Sequence, residues 1–358
     1  GTKTGTHDSI GSAFYLVRPK KLAARNAFGQ EASPTQHQFG GSIGGPIVEN
    51  RAFFFGSAEV QRVKNPRAVL FDRLVGFTPN ANGTEAFNFF RNQEGPFDQT
   101  NDAHALLIRT DYQLSHAHRF NVRYNYSKNE ALNAHATGKA LQPTTTSALS
   151  NNGAELDRTH TFVGQMTNIF SANVVNELRG QFAYEQRPRL ANVEQTTVES
   201  NIGNIGSVSF LPNSQQDKRF QIGDNLTCTN GNHTFKFGGV YNHVAAGQTF
   251  GFDQFGRFIV SGAFGGNNGL NTLLDLLSAG GTINRFDQPS NVVRYQKQIG
   301  NLEVNINSDE LAFFAQDSWR IRPNLTLQLG LRWEGQYNTQ PDASNTALVN
   351  TVSNRTFP

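Results

Sequence analysis

The chain has 358 residues, 37% hydrophobic and 11% aromatic, with 29 Phe, 34 Gly and one Cys. Its 31 basic and 28 acidic residues are mixed along the sequence and leave a net charge of +3, so no basic stripe points to nucleic acid. Cys228 alone can form neither an intrachain disulfide nor a cysteine metal cluster, and no apolar run approaches the ~18 residues of a membrane-spanning helix.

Strands are predicted in chain order. Ile10 to Arg18 is followed by Gln38 to Ile47 and, after a short turn at Asn50, by Ala52 to Arg62. Ala105 to Leu114 turns through Ser115–His118 into Arg119 to Lys128, and Thr161 to Phe170 turns at Ser171–Asn173 into Val174 to Gln186. Phe220 to Thr229 turns at Asn230-Gly231-Asn232 into Thr234 to Ala245, and Asn-Gly between alternating runs is a strong hairpin signal. Asp309 to Ile321 turns at Arg322-Pro323-Asn324 into Leu325 to Tyr337.

Alternation within these strands separates two faces. In the last one, Leu325, Leu327, Leu329, Leu331 and Trp333 interleave with Thr326, Gln328, Gly330, Arg332 and Glu334. Phe120, Val122, Tyr124 and Tyr126 oppose Asn121, Arg123, Asn125 and Ser127. Leu178, Phe182 and Tyr184 oppose Glu177, Arg179 and Gln181; Phe235, Phe237 and Tyr241 oppose Thr234, Lys236 and Asn242. Ten residues at ~3.4 Å each, tilted ~45°, rise about 24 Å and match the ~25 Å apolar band of an outer-membrane barrel. A basic side chain on the lipid face would cost roughly 2–4 kcal/mol at mid-membrane, which explains its confinement to one parity. Asp317 falls on the outward parity, near the periplasmic end, where that penalty is small. Tyr126, Tyr184, Trp319 and Trp333 suit interfacial girdles.

The remaining connections, Asn65–Asp102, Asn129–His160, Pro188–Asp217 and Gly247–Ser308, are read as long polar loops. Short turns on one side and long loops on the other give the orientation of an outer-membrane barrel, with the long loops outside. Within the last, Gly269 to Leu277 has helical apolar spacing and is read as a short helix. It either helps form a ligand mouth or, as the favoured reading, caps the rim or folds inward to bury its leucines. About eleven strands are counted, an odd number with two edges that lipid could not satisfy. The fold class expected is therefore an all-β, transmembrane antiparallel barrel, of which this chain supplies about half. The chain opens with Gly1 rather than Met, and an internal piece of a longer protein is expected.

Five blocks add a resemblance. Gln38-Phe39-Gly40-Gly41-Ser42-Ile43-Gly44-Gly45-Pro46-Ile47, running into Arg51-Ala52-Phe53-Phe54-Phe55-Gly56, resembles the start of the barrel in TonB-dependent receptors of the Oar-like group. Thr2-Lys3-Thr4-Gly5-Thr6 with Gly11-Ser12-Ala13-Phe14 is similar to the exit from the plug into the first strand. His233 to Gly239, Phe313 to Arg320 and Leu325 to Glu334 resemble further signatures, in the expected order. The resemblance implies a 22-stranded barrel filled by a plug, with a regulatory-like domain and a TonB-binding box. Residues 1–340 would form the first half of that barrel, and 341–358 would begin the next extracellular loop. It implies an outer-membrane receptor that takes up a scarce or bulky ligand (a siderophore, oligosaccharide or peptide), with membrane lipid and the TonB complex as partners. The alternatives are a surface barrel for adhesion or matrix export, and a passive porin.

Arg123, Glu177, Arg179, Lys236, Arg332 and Glu334 are the lumen-facing polar candidates, and Gly40, Gly41, Gly44 and Gly45 mark a strand that another backbone or the plug approaches closely. The glycine spacing is not that of a phosphate loop. His116 and His118, two apart in a turn, have no nearby carboxylate or Cys and are read as solvated. No Gly-x-Ser-x-Gly elbow or His-Glu-x-x-His helix occurs, so no enzyme, cofactor or metal is expected.

Overall fold

In a computed structural model, the described residues are 7–22, 24, 34–134, 144–262 and 264–339. The opening Thr2–Thr6 block and the expected loop start at 341–358 lie outside them. The elements in order are β1 (Ile10–Arg18), β2 (Thr35–Val48), β3 (Ala52–Val69), α1 (Thr84–Arg91), β4 (Gly95–Gln113), β5 (His118–Leu132) and β6 (Thr144–Thr145). They continue with β7 (Gly153–Ser171), β8 (Val174–Ala191), β9 (Thr197–Ser200), β10 (Asn204–Ile205), β11 (Asn213–Asn230) and β12 (His233–Thr249). The last are β13 (Arg257–Val260), α2 (Gly266–Leu277), β14 (Val293–Gln296), β15 (Glu303–Arg322) and β16 (Leu325–Asn338).

Eleven long strands form one antiparallel meander, in the order β1-β2-β3-β4-β5-β7-β8-β11-β12-β15-β16. Among the described residues the outer sides of β1 and β16 carry no partner strand, so the barrel wall is open. The hairpin turns sit where the sequence places them. Asn50 and Gly231 adopt φ of 60° and 58°, left-handed conformations that Asn and Gly reach most cheaply.

Directly paired residues share a face, so register reveals the two sides of the wall. Arg109, Arg123, Val163, Gln181, Gln221, Asn242, Glu310 and Gln336 form one cross-strand row from β4 to β16. On the opposite face Ile108, Tyr124, Phe162, Phe182 and Phe220 are in register. Phe162 and Phe182 leave 48% and 44% of their surface uncovered, which only lipid can solvate favourably. Asp317 lies on this apolar face with Phe235, as expected, and takes a 2.7 Å hydrogen bond from the stacked His233 ring.

The strands run well past their predicted outer ends. β3, β4, β7 and β15 have 18, 19, 19 and 20 residues. Eighteen residues at ~3.3 Å, tilted ~45°, climb about 42 Å, so roughly 17 Å of wall stands above the apolar band. The outward face records the crossing. Tyr126, His160 and Tyr184 form a belt in register, and the next row up holds His104, Lys128, Arg158 and Gln186. Above that belt both faces are wet, so the period-two signal vanishes while the hydrogen-bond ladder continues.

The reading of the long connections as polar loops is corrected. Segments 70–94, 144–152, 192–212 and 250–302 fold together above the wall around a core of their own. Phe71, Leu74 and Phe90 meet Ala148, Ile202, Val260, Leu270, Leu273, Leu274 and Leu276 in it. A second sheet, β10-β9-β13-β14, includes parallel pairing of β9 with β13, and β6 runs parallel to β3. Apart from the leucines of α2, these apolar residues are scattered without periodicity, and the short strands pair across distant sequence. Neither feature leaves a local pattern to read.

Candidate functional site at the polar face and the folded loops

The polar face is a network rather than isolated charges. Arg332 Nε donates to Glu334 at 2.8 Å, and Asn242, 5% exposed, donates to Glu310 at 2.8 Å. Together with Gln221 and Gln336 they line a cavity of about 600 Å³. Arg109 Nε bonds Asp111 at 2.8 Å on the same face. Nearer the loops Arg187 reaches Glu185 and Asp217 at 3.1 and 3.3 Å, and Arg189 pairs with Glu155. A second concavity of about 500 Å³ is walled by Ser12, Ser42, Ser57, Glu59, Asn125 and Thr161. The chemistry available on this face is reversible polar recognition by amides, hydroxyls and fixed ion pairs.

The loop head is joined across segments by backbone and side-chain bonds. Asn80 N donates to Asn271 Oδ1 at 3.0 Å, Ala86 N donates to Ser278 Oγ at 3.2 Å, and Glu85 Oε2 accepts from Ala279 N and Gly280 N. Asp275, 6% exposed, accepts from the hydroxyl and amide of Thr282, from Ile283 N and from Asn82 Nδ2. Those bonds, the Thr282 hydroxyl foremost, hold its carboxyl below the usual carboxylate range. Helix α2 buries Leu270, Leu273, Leu274 and Leu276, so its apolar stripe faces the head's own core. Beside it Glu85, Phe89, Phe90, Val198, Ile205 and Arg285 line a cavity of about 240 Å³.

The sequence profile described as an outer membrane beta barrel domain matches residues 1–75 and 68–356. The chain belongs to this barrel family. No curated protein matches it. Among solved structures it is similar to the ferripyoverdine receptor of the Pseudomonas aeruginosa outer membrane (TM-score 0.54, 9% identity, covering 94% of this chain and 38% of that one). It is also similar to the outer membrane transporter YddB from Escherichia coli (0.51, 9%, 85% and 34%). The siderophore receptor PirA from Acinetobacter baumannii gives 0.50 at 12% identity, with 94% and 40% covered. The chain thus spans well under half the length of these proteins, and at such identities the likeness is one of fold. Membership places the barrel in the outer membrane, crossed many times by strands.

Within this outer-membrane barrel domain the six polar candidates all take one parity. Glu177 and Arg179 share the face of Gln181, Lys236 that of Asn242, and Arg332 and Glu334 that of Gln336. The four glycines divide. Gly40 and Gly44 take the polar face, Gly41 and Gly45 the other. Close approach at Gly40 and Gly41 comes from the neighbouring strands: a Cβ at Gly40 would lie 2.4 Å from Ala58 O, and one at Gly41 2.8 Å from Ser12 O. Sequence reasoning found the helix α2 but passed over the rest of the loop head and, near the outer end of β3, Arg67. That side chain is 5% exposed and stands opposite Phe97.

Proposed function

We propose that the chain forms part of the wall of a TonB-energised outer-membrane receptor. What supports the reading is the row from Arg109 to Gln336, polar but for Val163: a lumen lined mainly with amides and charges suits a wide barrel that carries a plug and passes bulky cargo. In this reading about eleven further strands close a 22-stranded barrel, and Arg123, Glu177, Arg179, Lys236, Arg332 and Glu334 meet the plug or cargo. Gly40 and Gly44 are the positions where the plug comes nearest. The loop head closes over the mouth and holds the ligand (a siderophore, oligosaccharide or peptide) until TonB, driven by the inner-membrane proton gradient, displaces the plug.

The test is uptake of labelled candidate ligands by cells with and without the gene, each with and without a proton uncoupler. Gene-dependent accumulation that the uncoupler abolishes, with surface binding retained, is the expected result. Gene-dependent entry indifferent to the uncoupler would indicate a passive pore. Loss of cell or matrix adhesion without any change in uptake would replace transport by a surface role.

A further inference from the structure

Among the described residues, Arg67 is a cation closed in without a counter-charge. It stands near the outer end of β3 on the polar parity, directly opposite Phe97 of β4, with Val69 of the head's core two residues on. Its Nε and Nη2 are both covered and bond nothing. Burial pushes its pKa down, yet a guanidinium remains charged at any physiological pH. The acids around it in sequence and register make other bonds: Asp72 Oδ1 accepts from Arg73 N at 2.9 Å. Asp98, opposite Pro66, pairs with Lys64 at 2.7 Å on the outward face. Glu94 is held by Arg91 at 2.7 Å and by the amide of Phe71 at 2.9 Å. One register step towards the membrane, on the same face, Asn65 Nδ2 donates to Gln99 Oε1 at 3.3 Å, which leaves the Gln99 amide hydrogens available.

A covered, permanently charged fork beside an amide donor needs an acceptor that can engage two N–H groups at once. We propose that Arg67, with Gln99 beside it, is an oxyanion-binding position at the junction of the barrel wall and the loop head, taking a carboxylate or phosphate group. The oxyanion is either diffusible or an acidic side chain held inside the assembled barrel. The position is independent of whether the barrel transports, because it answers a charge imbalance within the wall itself.

Thermal unfolding of the protein purified from outer membranes in detergent, in chloride and in inorganic phosphate at matched ionic strength, decides the matter. With a diffusible oxyanion, phosphate raises Tm saturably, and Arg67→Met abolishes the gain. With an internal carboxylate, phosphate has no effect and Arg67→Met lowers Tm, because the partner is left charged and alone. If phosphate has no effect and Arg67→Met unfolds at or above the wild-type temperature, the proposal fails: methionine would then have relieved an empty charge. Should Arg67→Met not assemble, Arg67→Lys decides. It keeps the charge without the planar fork, so it should need several-fold more phosphate for the same gain or, if phosphate is inert, melt below wild type. A Lys variant indistinguishable from wild type would overturn the proposal.

Discussion

Asp275 gathers donors from Thr282, Ile283 and Asn82 onto one carboxylate, tying the end of α2 to two other stretches of the head. Replacing it with Asn removes charge-assisted bonds and should cost the head about 2 kcal/mol, read as faster hydrogen exchange or proteolysis of 266–283. Because its pKa in the folded head is depressed, this stabilisation is complete above its unfolded value of about 4 and is lost as pH falls through the lower folded value. Opening of the wild-type head should therefore increase below about pH 4, while Asp275→Asn shows no such dependence from this group. Gly40 sets a second residue-level limit. With Ala58 O 2.4 Å from the site of a Cβ, Gly40→Ala must spread β2 from β3 and should lower the yield of heat-modifiable, folded barrel on electrophoresis.

At the scale of elements, α2 and its neighbours stand or fall together, since Leu273 and Leu274 are fully covered by residues from other loops. Leu273→Ala should cost about 3 kcal/mol and raise exchange in α1, β9 and β13 in concert, with the long strands unaffected. Strand edges were legible where lipid enforces them: β1 and β16 have predicted and observed bounds that agree within a residue. β3 and β4 were underestimated outwards, because Arg62, Lys64, Asp98 and Asp102 carry charge on the outward parity above the bilayer, where no face need be apolar. The helix was legible from leucine spacing. β9, β10, β13 and β14 were not, because strands of two to four residues have no period to detect.

For the whole molecule, the two faces obey different solvents. Phe182→Arg on the apolar face should destabilise the barrel in vesicles by ~2–4 kcal/mol in a urea titration, while Gln181→Arg on the polar face should change it little. That partition also explains how much of the candidate site could be read in advance. Parity alone put Arg123, Glu177, Arg179, Lys236, Arg332 and Glu334 on one side, since lipid excludes them from the other. Parity could not show that Arg67 would be buried, because alternation assigns a side chain to a face and says nothing of what packs over that face.

The loop head has one more consequence. Its outer surface is a mosaic of four distant stretches of chain, fixed relative to one another by the core beneath. An antibody or phage that recognises this surface would see a discontinuous shape, so synthetic peptides copying single loops would neither elicit nor compete for such recognition.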